Sequence, residues 1–327
     1  MPQLAATTVI LLSLDLWRIV AAFQTGVYLD MQPLAKLAAL PKHYRSNEGK
    51  IRDWIQTLDA ALSPWYATYG TSRIGLLVLT LPRMRDFMIT HAVYFNDVDR
   101  LAFLHATFDV RRCRRNLLNL AAAQGHDASV AYLHSIGHQG CNTGAMNLAA
   151  QFGHLRIVKF LHAHRTEGCS IRAMDAAARE GHLDVVQWLH FNRTEGCTTD
   201  AMDEASARGH LEVVQWLHQN RREGCSFRAM DAAAGNGHLE TVTWLLENRT
   251  EGCTPQLSLA EALRFRHLDV AVFLSTKYNL DLTLKGDLTG QSPPNVLHFR
   301  KVGVVEQRHT ISQPLLADIR SKQELVQ

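Results

Sequence analysis

Residues 169–196 read CSIRAMDAAAREGHLDVVQWLHFNRTEG, and close copies of this stretch recur along the chain with a period of 28 residues. Gly-His pairs and aromatic-leucine pairs share that period, as in Gly181-His182 and Trp188-Leu189. All the cysteines also lie on it, at Cys113, Cys141, Cys169, Cys197, Cys225 and Cys253. A fixed period of this length is typical of repeat proteins, in which each repeat buries its apolar face against the next.

Each repeat is predicted to contain two short helices. Ser170 is a good N-cap, because its side-chain oxygen can accept a hydrogen bond from a free backbone N–H. Small apolar residues follow at helical spacing up to Gly181, which suits the left-handed conformation that ends a helix. The second helix begins near His182. It is expected to bury Leu183, Val185, Val186, Trp188 and Leu189. Such short helices are unstable alone in water, so stacking must stabilise them.

The centre of the repeat carries a recognisable pattern. From Ala177 to Leu189 it reads A-A-R-E-G-H-L-D-V-V-Q-W-L, with similar copies between Leu120 and Val272. This stretch resembles the A-A-x-x-G-H-x-x-V-V-x-x-L core of the ankyrin-repeat family. The resemblance implies an all-α fold, an ankyrin-like α-solenoid of stacked helix-turn-helix repeats.

Two features differ from the usual ankyrin repeat. The family's T-P-L-H motif at the start of the first helix is replaced by x-A-M-D, as at residues 172–175. The period of 28 residues is also shorter than the usual length of about 33. The missing residues would come from the protruding β-hairpin, so we expect a nearly pure helical stack.

The chain is predicted to have three regions. Residues 83–280 form the repeat array, with about seven repeats of which the terminal ones are degenerate. Residues 1–82 do not repeat and are predicted to be a helical N-terminal region that caps the array. Residues 281–327 are predicted to be a linker and a partly disordered tail, because glycine and proline cluster between Gly286 and Pro294. An alternating run from Val296 to Val305 predicts a strand there.

Residues 8–24 give the N-terminal region a second interpretation. Leu12 to Phe23 has apolar residues at helical spacing and resembles the opening of an F-box, a helical module that docks onto the linker protein of a ubiquitin ligase. The usual proline before the acidic position, here Asp15, is missing. The resemblance implies a substrate-recruiting adaptor of a ubiquitin ligase. The alternative is a helical cap that covers the first repeat.

Charge and hydropathy disfavour two classes of partner. The chain has 34 basic and 31 acidic residues, a net charge of +3. The run from Arg111 to Arg115 lies at a repeat junction without interleaved aromatic residues, so nucleic acid is disfavoured as a partner. The longest apolar stretch, Ala5 to Leu14, is shorter than the roughly 20 residues of a membrane span, so no membrane partner is expected.

No cofactor, metal or catalytic residue is predicted. His182 and its equivalents follow the repeat rather than any ligand geometry, and we expect their ring nitrogens to bond backbone groups of neighbouring repeats. Equivalent cysteines should lie about 8–10 Å apart, too far for disulfides. Reduced thiols indicate a reducing compartment, so we predict that the protein is cytoplasmic, with the nucleus as an alternative. The sequence has no Gly-rich phosphate loop and no Gly-x-Ser-x-Gly elbow, so we predict that the protein is not an enzyme.

The predicted function is carried by positions that vary between otherwise constant repeats. These positions lie just after the cysteine and just before the Gly-His pair, at the two ends of the first helix. Aromatic and arginine residues dominate the energetics of protein interfaces. We therefore predict a protein-protein interaction module or scaffold that binds a partner along one face of the solenoid. The predicted contact residues are Phe152, Arg172, Arg179, Asp200, Arg208, Phe227 and Arg228.

Overall fold

The structure is a computed structural model that describes residues 26–38, 48–280, 296–298 and 308–310. The F-box-like segment from Leu12 to Phe23 and the predicted linker from Gly286 to Pro294 lie outside these residues. The chain divides into two compact units, residues 1–142 and 143–327. Within the described ranges, no helix combines the length and apolar character needed to cross a bilayer.

The described residues of the first compact unit form helices without a repeat, followed by two helix pairs. The non-repeating helices are α1 (Gln32–Ala35), α2 (Glu48–Tyr69) and α3 (Ile74–Thr80). The two pairs are α4 (Met84–Tyr94) with α5 (Val98–Phe108), and α6 (Leu117–Ala123) with α7 (Asp127–Ser135). Short 3₁₀ turns lie at Leu29–Met31 and Val110–Arg112.

Between residues 143 and 280, the described helical part of the second compact unit contains five helix pairs. They are α8 (Thr143–Gln151) with α9 (Leu155–His164), α10 (Arg172–Arg179) with α11 (Leu183–Asn192), α12 (Thr199–Ala207) with α13 (Leu211–Asn220), α14 (Phe227–Gly235) with α15 (Leu239–Asn248), and α16 (Pro255–Arg264) with α17 (Leu268–Lys277). Two short strands, β1 (Val296–His298) and β2 (Arg308–Thr310), pair antiparallel with Leu297 opposite His309. Apart from them the described fold is helical, and the predicted all-α solenoid is confirmed.

Helix stacking in the second compact unit follows from the size of the core residues. The first helices bury small residues such as Ala173, Ala177 and Ala178, so consecutive first helices pack closely together. The second helices contact one another much less. Each packs against the first helix of its own pair and buries branched residues, Val185 and Val186 in α11. The predicted helix-turn-helix frame therefore comes from a small-residue face on one helix and a branched apolar face on the other.

The prediction that Leu183 and Trp188 are buried is wrong, because both are only half-buried. They lie at the border between the core face of α11 and solvent. The indole of Trp188 instead lies edge-on against the ring of His162 in the preceding pair, with centroids 5.2 Å apart and an interplanar angle of 83°. The tryptophan therefore joins two consecutive repeats at their surface and does not fill the core.

Truncation of a tryptophan at this position of the repeat should therefore lower the free energy of unfolding only moderately. Trp216 repeats the edge-on contact with His190, with centroids 5.1 Å apart. We expect Trp216→Ala to lower the free energy of unfolding by about 2 kcal/mol, less than the roughly 3–5 of a fully buried aromatic residue. Urea denaturation followed by circular dichroism measures this. Trp216→Phe is the control, because it keeps a ring against His190, and a larger loss for it than for Trp216→Ala would contradict the edge-on contact.

Candidate protein-interaction surface

The aspartate of the x-A-M-D motif connects each first helix to the next. Asp175 in α10 accepts hydrogen bonds from the backbone N–H of Thr198 at 2.8 Å and from its hydroxyl at 3.0 Å. Asp203 in α12 accepts the same two bonds from Ser226, at 2.7 and 2.6 Å. The aspartate therefore holds the N-cap of the following helix, and its polar atoms are used inside the array.

The histidines of the Gly-His pairs also bond backbone groups, as predicted. His126 Nε2 lies 2.8 Å from the carbonyl oxygen of Tyr94, one helix pair earlier. His210 makes the corresponding bond to the backbone of Arg179, and burial lowers its pKa. A neutral ring that donates from Nε2 fits both observations. Within the described ranges, no group of histidine, cysteine and acidic residues could hold a metal ion.

Charged residues in the turns between repeats are paired with each other. The Arg193 guanidinium donates to both carboxylate oxygens of Glu195, at 3.2 and 2.5 Å. These bonds lower the pKa of Glu195 to about 2. Another nitrogen of Arg193 lies 3.3 Å from Nδ1 of His162 in the preceding pair. These arginine-glutamate pairs are therefore satisfied within the array, and they are poor candidates for partner binding.

The cysteines are free thiols at the start of the repeats. Burial raises the pKa of Cys169, Cys197 and Cys225 from the ordinary 9.0 to about 11. Buried thiols of this kind are weak nucleophiles, because the thiolate is the reactive form. Their position under the turns gives them a packing role.

Thiol reactivity offers a test of this environment. At pH 8 we expect Cys197 to react with Ellman's reagent at least about 100-fold more slowly in the native chain than in urea, because its pKa is two units higher. Peptide mapping by mass spectrometry assigns the labelled thiols. The cysteine thiol has a lower pKa in the unfolded chain, 9.0, than in the native chain, about 11. Its contribution to the free energy of unfolding is therefore fully present below pH 9 and should be lost as the pH rises through about 11. Equal rates for native and unfolded Cys197 would contradict the burial.

The predicted contact residues fall into two rows. The helix-start row lies at the first residues of the first helices and contains Arg172, Asp200, Phe227 and Arg228, all exposed. Ile171 is not among the predicted contact residues, although the period makes it equivalent to Phe227. Ile171 is 42% exposed and Phe227 is 53% exposed. We include Ile171 in the helix-start row, which therefore combines apolar surface with charge.

The helix-end row lies at the other end of the first helices and contains Phe152, Arg179 and Arg208. Phe152 is exposed, but both arginines are held by one carboxylate. Glu180 accepts from Arg179 at 3.0 Å and from Arg208, one repeat later, at 2.5 Å. A helix of eight residues spans about 12 Å, so the two rows are separate surfaces. The structure does not bring the seven predicted residues together into one site.

Stacked helix pairs with their polar residues bonded from one repeat to the next define a helix-turn-helix α-solenoid. Residues 174–218 and 202–246 match the family model described as ankyrin repeats (many copies). The repeats in this stretch are therefore ankyrin repeats. Arrays of this kind are protein-protein interaction modules and are typically non-enzymatic binding scaffolds.

Several solved structures are similar to part of the chain. Among them is the human ASB11 ankyrin repeat domain, which is 22% identical with a TM-score of 0.40. The alignment covers 54% of this chain and 88% of that domain. The search among curated proteins found no match.

Proposed function

We propose that the helix-start row binds a protein partner and that the chain acts as a non-enzymatic interaction module or scaffold. The observation that carries this proposal is the exposure of Phe227 directly beside Arg228, whose guanidinium makes no ion pair with any residue that the structure describes. Most other charged groups in these repeats are bonded within the array. An exposed phenylalanine beside an exposed arginine presents the residue types that dominate interface energetics.

The partner should lose affinity when these two side chains are truncated. Partners are first identified by mass spectrometry of proteins that co-purify with the tagged full chain. For the partner so found, we expect Phe227→Ala/Arg228→Ala to weaken binding by about 30-fold or more, because two central contacts are removed. Isothermal titration calorimetry measures the dissociation constant.

A matched control separates the binding face from general surface hydrophobicity. Phe191 in α11 is 74% exposed, but it lies on a second helix. Phe191→Ala should leave the affinity unchanged. Wild-type affinity in the Phe227→Ala/Arg228→Ala variant would reject the helix-start row, and a loss in Phe191→Ala alone would assign binding to the second helices.

The adaptor of a ubiquitin ligase is the second candidate function. The observation that favours it is the F-box-like pattern from Leu12 to Phe23. In this case the full chain should co-purify with cullin-type ligase subunits, and a variant lacking residues 1–60 should lose them while it keeps partners bound by the repeats. Retention of every specific partner by the deletion variant would contradict the adaptor function.

We also propose that the protein works in the cytoplasm, with the nucleus as an alternative. Six free cysteines in phase with the repeat support a reducing compartment, because secreted proteins usually pair theirs. Microscopy of the chain with a fluorescent tag tests the proposal, and an exclusively extracellular signal would contradict it.

A further inference from the structure

Three charges that form no ion pair with the described part of the chain occupy one position in three consecutive repeats. Arg172, Asp200 and Arg228 follow one another at intervals of 28 residues, so their signs alternate as plus, minus, plus. All three are exposed, and none forms an ion pair with the residues that the structure describes. The arginine at the far end of α12 differs from them, because Arg208 is paired with Glu180.

The spacing of these charges fits an extended polypeptide. Consecutive first helices are in direct contact, as the bond from Asp175 to Thr198 shows, and packed helices lie about 8–10 Å apart. A peptide in the extended polyproline II conformation rises about 3.1 Å per residue with three residues per turn, so every third residue lies on the same face and advances by about 9 Å. Side chains at positions i, i+3 and i+6 of such a peptide would therefore face Arg172, Asp200 and Arg228 in turn.

Apolar surface accompanies the two positive charges. Ile171 precedes Arg172 and is 42% exposed, and Phe227 precedes Arg228 and is 53% exposed. Thr199 stands at the same position beside Asp200. Apolar contacts are therefore available at both ends of the row, and a polar side chain occupies the middle.

We propose that the helix-start row binds an extended peptide segment with the charge pattern acidic-x-x-basic-x-x-acidic. This inference rests on the proposed function and specifies its partner. The acidic residues of the peptide face Arg172 and Arg228, and its basic residue faces Asp200. A uniformly acidic peptide would meet Asp200 with like charge, so the alternation selects the partner as well as attracting it. The charges of the row form a single file with one charged side chain in each repeat, which suits a single extended chain rather than a helix about 10–12 Å across.

A random peptide library displayed on phage, selected on the full chain, tests the charge pattern. We expect the selected peptides to be enriched in acidic-x-x-basic-x-x-acidic sequences. The same library selected on Arg172→Asp/Asp200→Arg/Arg228→Asp should yield the inverse pattern, basic-x-x-acidic-x-x-basic. Phe191→Ala is the control, and it should select the same peptides as the wild type. Circular dichroism confirms that each variant is folded.

Affinities of the synthetic peptides complete the test. A peptide selected on the wild type should bind the charge-swapped variant about 100-fold more weakly, because three attractions become repulsions. Binding to the wild type should weaken with added salt. Peptides with random charge, a spacing of seven residues, or equal affinity for both variants would overturn the inference, as would the absence of any selected peptide. The proposed function is judged separately, by the affinity of the native partner for Phe227→Ala/Arg228→Ala.

Discussion

Gly181→Ala is expected to lower the free energy of unfolding by about 3 kcal/mol, although it adds only one methyl group. Gly181 ends α10 with φ at +82°, a conformation that costs an L-residue roughly 1–2 kcal/mol. The new Cβ would also lie 2.6 Å from Nδ1 and 2.7 Å from Cε1 of His210. That ring cannot move away without straining its bond to the backbone of Arg179. The substitution therefore disturbs both the turn and the contact between repeats.

Urea denaturation followed by circular dichroism measures the loss, and the chain contains a matched control. Gly252 also has positive φ, at +71°, but a Cβ placed there would meet no atom within 4 Å. Gly252→Ala should therefore cost only the backbone strain, about 1–2 kcal/mol. Equal losses for the two variants would show that contact with the histidine of the next repeat contributes nothing.

Asp203→Ala is the second substitution with a large expected effect, and it should also lower the free energy of unfolding by about 3 kcal/mol. Asp203 is 5% exposed and accepts both the backbone N–H and the hydroxyl of Ser226. Its removal leaves two donors without a partner in a half-buried position, and hydrogen bonds to a charged acceptor are among the stronger ones. Loss of this bond also loosens the start of α14, so the transition should become less cooperative. The same urea titration measures both effects.

Asp203→Asn separates the loss of the hydrogen bonds from the loss of charge. The chain already uses asparagine at the equivalent position, because Asn147 accepts from the N–H of Ser170 at 3.0 Å and donates to its hydroxyl at 2.8 Å. A serine hydroxyl can act as donor or acceptor, so the exchange should cost less than about 1 kcal/mol. A loss as large as that of Asp203→Ala would mean that the negative charge matters more than the bonds.

Much of the fold could be predicted because the repeat presents every residue with the same neighbours. The spacing of Gly181 and His182 indicated where one helix ends and the next begins, and the structure confirms these positions. The bonds from the Gly-His histidines to backbone groups were also predictable, since a role that follows the period must be structural. The burial of Trp188 was not predictable. Helical periodicity identifies the apolar side of a helix. It does not show how far the next repeat covers the residues at the border of that side.

In the candidate site too, some features follow from the sequence and others only from the tertiary structure. The sequence by itself determined the repeat, its two helices, and which positions vary from copy to copy, because these properties depend on local conformation and on periodic contacts. Only the tertiary structure decided that Glu180 holds Arg208, while Arg172 and Arg228 form no ion pair with a residue that the structure describes. The reason is physical: residues 28 positions apart become neighbours only when the helices stack, and the pairing of variable side chains depends on the distances that the stack imposes.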